Sequence, residues 1–394
     1  MVHVSRFALV SGVALALIIA SCQKEDVTPT GPVEATASNS LLKVTTSTPY
    51  AVSVFASGFN NPRGLRFGPD GELYVAEGGL GGSISTVGQY VQVVPPVGPY
   101  TGGMTGRISR VSRSGNRTTV AENLPSSQTS AAQGSLVSGV ADVEFVGNTL
   151  YAILAGAGGS HGILSVPNSV IRVRSNGHWS VVANLSAFQM SHPVANPEPD
   201  DFEPDGTWYS MVRVHDELFA VEPNHGELDR IDPRDGKIRR IADISASQGH
   251  IVPTAVAYHL GQFYVGNLNP FPIVEGGSSI YKINPGGHVE VWAKGFTTIL
   301  GLEFDSKGRL YVLENTTGNP FPTPGTGVIL RLSESGKRDT IATGLFLPTA
   351  MTIGPDGKLY VSNKGFGPPI PGFGEVLQID LHNAGEWVRR DENN

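Results

Sequence analysis

Cysteine is almost missing from this chain: Cys22 is the only one in 394 residues, so no intrachain disulfide can form. Charge is also sparse, at 16% of residues, and the net charge of -7 comes without any run of Lys or Arg. A basic patch or stripe is the usual footprint of nucleic-acid binding, so no nucleic-acid partner is expected. No HExxH zinc helix, Walker A phosphate loop or G-x-S-x-G elbow occurs. The glycine-rich Gly79–Ser83 stands in no strand-to-helix context and receives no phosphate role. One apolar stretch, Phe7–Ser21, stands out, and it is too short for a comfortable membrane span.

What is plentiful is glycine, with 49, and proline, with 28. That composition suits many short strands joined by turns and predicts an all-β protein.

Arg6 followed by the Phe7–Ser21 stretch reads as a removable targeting segment, residues 1–21. Ile19-Ala20-Ser21-Cys22 resembles a bacterial lipoprotein box, which predicts lipidation of Cys22 and anchoring to the membrane through the N-terminal lipid. Lys24-Glu25-Asp26 resembles the export tag of some surface-displayed lipoproteins, and Gln23 gives no reason to expect inner-membrane retention. The expected location is the cell envelope, in the outer membrane, facing either the periplasm or the exterior. Residues 22–49, rich in Thr, Ser and Pro, read as a disordered tether with a reach of roughly 30 Å.

The remainder repeats one phrase six times. "GLRFGPDGELYV" (64–75) is echoed at 142–152, 211–220, 255–265, 301–312 and 350–361. Each copy has β-branched or alternating apolar residues, a Gly, Asp or Asn turn, and a second aliphatic and aromatic run, the pattern of a β-hairpin. A second hairpin follows most copies, giving four antiparallel strands per unit. The equivalent residues Leu73, Leu150, Leu218, Phe263, Leu310 and Leu359 define the repeat. The last three intervals are 45, 47 and 49 residues, the length of a propeller blade. The first two, 77 and 68, carry insertions. The sixth unit lacks a fourth strand, whereas "VSVFASGFNNP" (52–62) matches the fourth strand of unit five. The prediction is a six-bladed β-propeller over 50–381, its last blade closed by the N-terminal strand, with 382–394 a polar tail.

In that architecture "PDG" at 69–71 is a turn on the face away from the inter-blade loops. The ends of each phrase reach the loop-rich face around the channel mouth. Leading in are Asn61-Pro62-Arg63, Pro253-Thr254 and Pro348-Thr349. Leading out are Glu77, Glu222 with Asn224 and His225, Asn267 with Asn269, Glu314-Asn315, and Asn363-Lys364. Such carboxylates, amides and one imidazole suit a polar ligand pocket or a calcium site with oxygen ligands; satisfying strand ends is the other use open to them. Insertions 78–106, 155–168 and 196–206 would add long loops to this face. The last carries Asp200, Asp201 and Asp205, whose spacing does not fit an EF-hand loop.

The phrases "VFASGFNNPRGLRFGPDGELYVAEGG", "VPTAVAYHLGQFYVGNLNPFP" and "VWAKGFTTILGLEFDSKGRLYVLE" together resemble the ScyD/ScyE family across nearly all of residues 50–381. The resemblance implies a six-bladed propeller related to NHL-repeat, gluconolactonase-like and strictosidine synthase-like proteins, and carries no settled activity. "PNHGEL" (223–228) departs from the family's usual Asp/Asn-rich phrase. Two functions are expected: binding of a small molecule or protein on the loop-rich face, or metal-dependent lactonase-like hydrolysis at the channel mouth. A quinone-dependent sugar dehydrogenase analogue has only the propeller to recommend it.

Overall fold

The six repeats fold as six antiparallel sheets. The computed structural model describes residues 50–197, 202–333 and 336–382. Cys22, the leader and tether, Asp200, Asp201 and residues 383–394 lie outside the described residues. Blade 1 comprises Pro62–Phe67, Leu73–Glu77, Thr101–Val111, Arg117–Gln128 and a two-residue fifth strand, Val137–Ser138. Blade 2 runs from Val140–Val146 to Trp179–Asn184, blade 3 from Ser210–Val214 to Ile238–Asp243, and blade 4 from Pro253–His259 to Val289–Phe296. Blade 5 runs from Ile299–Phe304 to Arg338–Leu345.

Blade 6 closes the ring. Ala350–Ile353, Leu359–Asn363 and Gly374–Ile379 are completed by the N-terminal strand Val52–Phe59, which pairs antiparallel with Gly374–Ile379. The terminal edges of a circular array are thereby satisfied by each other.

Because the apolar residues of a blade face both neighbouring blades, the core is six separate layers between blades. One joins Ala76 and Ile108 of blade 1 to Val143 and Ile171 of blade 2. The layer that seals the ring joins Leu65 and Val75 of blade 1 to Tyr360 and Val376 of blade 6. The six residues that defined the repeat are all buried.

Two features differ from the sequence expectation. The insertion at 78–106 is not all loop: Thr101–Gly106 extends the third strand of blade 1 and pairs with Leu124–Gln128. Glycines make that region possible, since a Cβ at Gly82 would lie 2.1 Å from the carbonyl oxygen of Gly102. Among the described residues two short α-helices, Leu185–Ser191 and Ser245–Gln248, also interrupt the strands. Asn184 caps the first by accepting from the Ala187 N–H at 2.9 Å. Among the described residues no helix is long and apolar enough to cross a membrane.

Candidate functional site

The inner strands do not enter the sheets smoothly. In blades 1, 2, 4 and 5 the register slips where the inner strand begins, leaving Arg63-Gly64, Ala141, Thr254 and Leu300 unpaired. A bulge re-aims the side chain it carries. Here Arg63, Ala141, Thr254 and Leu300 all line one cavity of about 800 Å³, and Tyr209 enters it from blade 3. Loops complete the wall with Tyr100, Glu203, Asn224, Asn269, Phe271 and Phe366.

Arg63 is the charged centre of this mouth. It is 6% exposed. Its guanidinium donates to the Val137 carbonyl and, at 3.4 Å, to the Tyr209 hydroxyl. The Tyr209 hydroxyl in turn donates to the Thr349 carbonyl at 3.3 Å. The Arg63 guanidinium also stands 5.8 Å from the Tyr209 ring centre and 5.9 Å from that of Phe366. Among the described residues no carboxylate pairs with it. A buried cation held only by neutral groups is costly, and an anionic group in the cavity would offset that cost.

Across the cavity, Glu203 accepts from the Tyr100 hydroxyl at 2.5 Å and lies 3.4 Å from His161 Nε2. His161 Nδ1 is 2.9 Å from the Ser127 hydroxyl. Ser127 and His161 are fully buried, so this chain of side chains fastens three insertions together behind the wall. Asp205 does similar work, accepting from the backbone N–H and the hydroxyl of Ser160, both at 2.7 Å.

The residues that lead out of the blades are placed differently. Glu77 accepts from the Asn60 N–H at 2.7 Å, Glu222 from Thr207 at 2.7 Å, Glu314 from Thr297 at 2.9 Å and Asn363 from Phe346 at 2.9 Å. In each case the last residue of the second strand fastens the backbone leading into the same blade. Asn267 serves by donating to the Ile251 carbonyl at 2.8 Å and to Asn269 Oδ1 at 2.6 Å. Asn61, with φ of 50°, donates to the Gly79 carbonyl at 3.0 Å. Thr254 donates to the Ile299 carbonyl of the next blade. Asn315 donates to the Pro348 carbonyl at 2.9 Å, and Lys364 pairs with Glu375 at 2.9 Å. Thus Arg63, Asn224, Thr254 and Asn269 line the mouth cavity, whereas Glu77, Glu222, His225, Asn267, Glu314 and Asn363 stand outside its lining.

Among the described residues, one set of three metal-ligand side chains has its ligand atoms within 4.8 Å of one another: Glu222, His225 and Glu227. Glu77 and Glu314 belong to no such set. Burial pushes the Glu222 carboxyl up to about 7 and raises that of Glu227. Neighbouring carboxylates add to both shifts, whereas Arg240 beside Glu227 works against its rise. One imidazole and two carboxylates suit a transition-metal ion better than calcium, which takes six to eight oxygens. The set adjoins the mouth through Pro223 and Asn224, which line the cavity.

Sequence reasoning had singled out Arg63, Thr254, Asn224 and Asn269. It missed Tyr209, Glu203, Phe271 and Phe366. A Pro precedes Arg63 and Thr254 but neither Ala141 nor Leu300, so the Pro-x step signalled two of the four re-aimed positions; of the loop residues, Phe271 stands in the "NPFP" phrase that recurs at 319–322.

No protein-family model matches the chain, and no curated protein matches it. Solved structures do. A putative oxidoreductase (glucose dehydrogenase) of Thermus thermophilus is 19% identical, covers 84% of this chain and all of its own, and gives a TM-score of 0.52. The calcium-binding protein regucalcin of Agrobacterium tumefaciens is 13% identical over 84% of this chain and 95% of its own, with a TM-score of 0.51. A protein of unknown function from Bacteroides thetaiotaomicron is 12% identical over 84% and 76%, with a TM-score of 0.53. At such identities the likeness is one of fold, and the fold it supports is the six-bladed β-propeller.

Proposed function

We propose that this chain is a lipid-anchored cell-envelope propeller of the ScyD/ScyE type that binds a small anionic molecule in its mouth cavity. The observation that carries the reading is Arg63, a buried guanidinium with no carboxylate partner among the described residues, aimed into an 800 Å³ cavity by a bulge. Arg63 would take a carboxylate or similar oxyanion, with Tyr209 holding the guanidinium in place. Lipidation of Cys22 and the outer-membrane location rest on the leader sequence. Fold alone leaves function open, since propellers host many roles.

Calorimetric titration with benzoate tests the site. Saturable binding weakened at least tenfold in Arg63→Met supports it; binding indifferent to that change, or none at all, overturns it. Membrane fractionation of Cys22→Ala tests the anchor separately, with release into the soluble fraction expected.

A second reading is supported by the Glu222, His225 and Glu227 set. A divalent ion held there would polarise a carbonyl or activate a water, which is the chemistry a lactonase-like hydrolase needs. Glu222 and Glu227 would supply carboxylate ligands and His225 a ring nitrogen. A thermal shift with zinc or calcium that vanishes in Glu227→Gln supports this reading, and no shift with either ion removes its basis.

A further inference from the structure

Next to the mouth lies a second hollow, of about 540 Å³, and the two share Gln133, Leu136, Phe271 and Phe366 as a common wall. Its other walls are largely apolar and include Phe321, Phe346 and Phe373. The sequence builds it from three equivalent insertions between second and third strands: "NPFPIVEGG" (269–277), "NPFPTPGTG" (319–327) and "GFGPPIPGFG" (365–374).

The first two insertions hold each other in place, and the third is held by blade 1. The Ile273 N–H donates to the Pro320 carbonyl at 2.8 Å, joining the first two. The Val137 N–H donates to the Gly367 carbonyl at 3.2 Å, and the Gly372 N–H to Asn60 Oδ1 at 2.8 Å, joining the third to blade 1 and its approach. Phe346 and Phe373 meet edge to face, with centroids 5.5 Å apart. Even so, Phe321 is 65% exposed, Ile370 45% and Phe373 37%. Rigid loops that keep apolar side chains in water mark a binding surface more often than a packing defect.

Charge separates the two hollows. Lys364, the cation lining the apolar one, is neutralised by Glu375 at 2.9 Å. Arg63, in the mouth, pairs with no carboxylate among the described residues, and the Phe366 ring that faces it belongs to both cavities. An anionic head on Arg63 therefore has its first carbons beside Phe366, with the apolar hollow continuing from there.

Resting on the anion-binding reading above, we infer that the ligand is an amphiphile. Its anionic head sits on Arg63, and its alkyl or aromatic body lies over Phe366 in the hollow walled by Phe271, Phe321, Phe346 and Phe373. A bare inorganic anion or a simple polyol would leave this second hollow unused.

Calorimetric titration with straight-chain carboxylates from butanoate to decanoate, below their micelle concentrations, tests the inference. Each added methylene should tighten saturable binding by about two- to fourfold, the upper figure being full burial. Arg63→Met should weaken every member of the series. Phe321→Ser with Phe373→Ser removes two exposed side chains; it should weaken decanoate at least tenfold and leave butanoate unchanged, with the melting temperature preserved. Affinity that depends on Arg63 but not on chain length overturns the amphiphile and leaves the anion site standing. Chain-length dependence indifferent to Arg63→Met overturns the assignment of the head. Decanoate uptake without saturation, or unchanged in the double serine variant, overturns the hollow as its seat. Failure of every acid to bind overturns both readings.

Discussion

The backbone N–H of Asn60 points at the carboxylate of Glu77, 2.7 Å away, and this contact ties the closing strand of blade 6 to blade 1. Arg107 grips the same carboxylate through two further bonds, at 2.8 and 2.6 Å, and Ser109 donates to it as well. Glu77 is wholly buried. Its replacement by alanine leaves Arg107 and the Asn60 N–H without their acceptor, and breaking a buried pair of this kind costs about 3–5 kcal/mol. Glu77→Ala is expected to lose that much in denaturant unfolding, and Glu77→Gln less, because an amide oxygen can still accept from Asn60. A loss below about 1 kcal/mol for the alanine variant would show that the clamp is idle.

Stability should fall as pH rises from 5 to 8. Burial pushes the carboxyls of Glu222 and Glu314 up to about 7, whereas an unfolded glutamate titrates near ~4.3. Between those values the folded chain keeps a proton that the unfolded chain has released. Each group's contribution is therefore complete below about pH 4 and lost as pH rises through the folded value, with a slope of at most about 1.4 kcal/mol per unit. Asp232, held down to about 2 by Arg234, acts in the opposite sense and only in strong acid. Thermal unfolding across this range checks the sign. Glu314→Gln, which can still accept from Thr297, is expected to flatten the fall; a melting temperature rising from pH 5 to 8 contradicts the assignment.

Gly64 and Asp142 bring blades 1 and 2 to near contact at the channel wall. A Cβ on Gly64 would lie 1.8 Å from Asp142 Oδ1 and 2.7 Å from the Asp142 Cα. Asp142 cannot simply swing away, since its other oxygen accepts from the Met211 N–H of blade 3 at 2.7 Å. Gly64→Ala is expected to cost more than about 3 kcal/mol through overpacking, read as a lowered denaturant midpoint. Unchanged stability would mean the inner strands slide apart more freely than their packing implies.

Arg66 sits lower in the channel, 3.2 Å from Glu144 of blade 2 and 3.6 Å from Glu303 of blade 5. Arg66→Met removes the cation that both carboxylates face. Burial already holds Glu303 up to about 7, against the pull of Arg66, so without that cation Glu303 gains by remaining protonated. The variant is expected to be more destabilised at pH 8 than at pH 5 in parallel thermal scans, and an equal loss at both pH values would count against the pairing.

The fold was legible because its information is repeated. Leu73, Leu150, Leu218, Phe263, Leu310 and Leu359 recur at one structural position, and the matching phrases at 52–62 and 339–348 signalled the shared blade. The mouth was legible only where the repeat itself supplies a residue, as at Arg63 and Thr254. Glu203 and Phe366 come from insertions whose sequences differ from blade to blade, so no periodicity announces them, whereas Phe271 recurs as Phe321 in an "NPFP" phrase confined to blades 4 and 5. Glu77, Glu314 and Asn363 were conspicuous for the opposite reason. They recur because five of the six blades fasten their own incoming backbone with the last residue of the second strand, blade 2 ending instead in Leu154; the demand is one of construction and places polar residues beside the channel regardless of chemistry.

The closing strand also sets how the ring responds to mechanical load. Val52 pairs with Ile379 and Phe59 with Gly374, so both ends of the propeller leave from the same end of one antiparallel pair. Tension between them loads the bridging hydrogen bonds one after another, like a zipper drawn from its open end, instead of shearing them together. The ring is therefore weakest against a pull applied across its own two ends, and the first part to yield is the seam in blade 6.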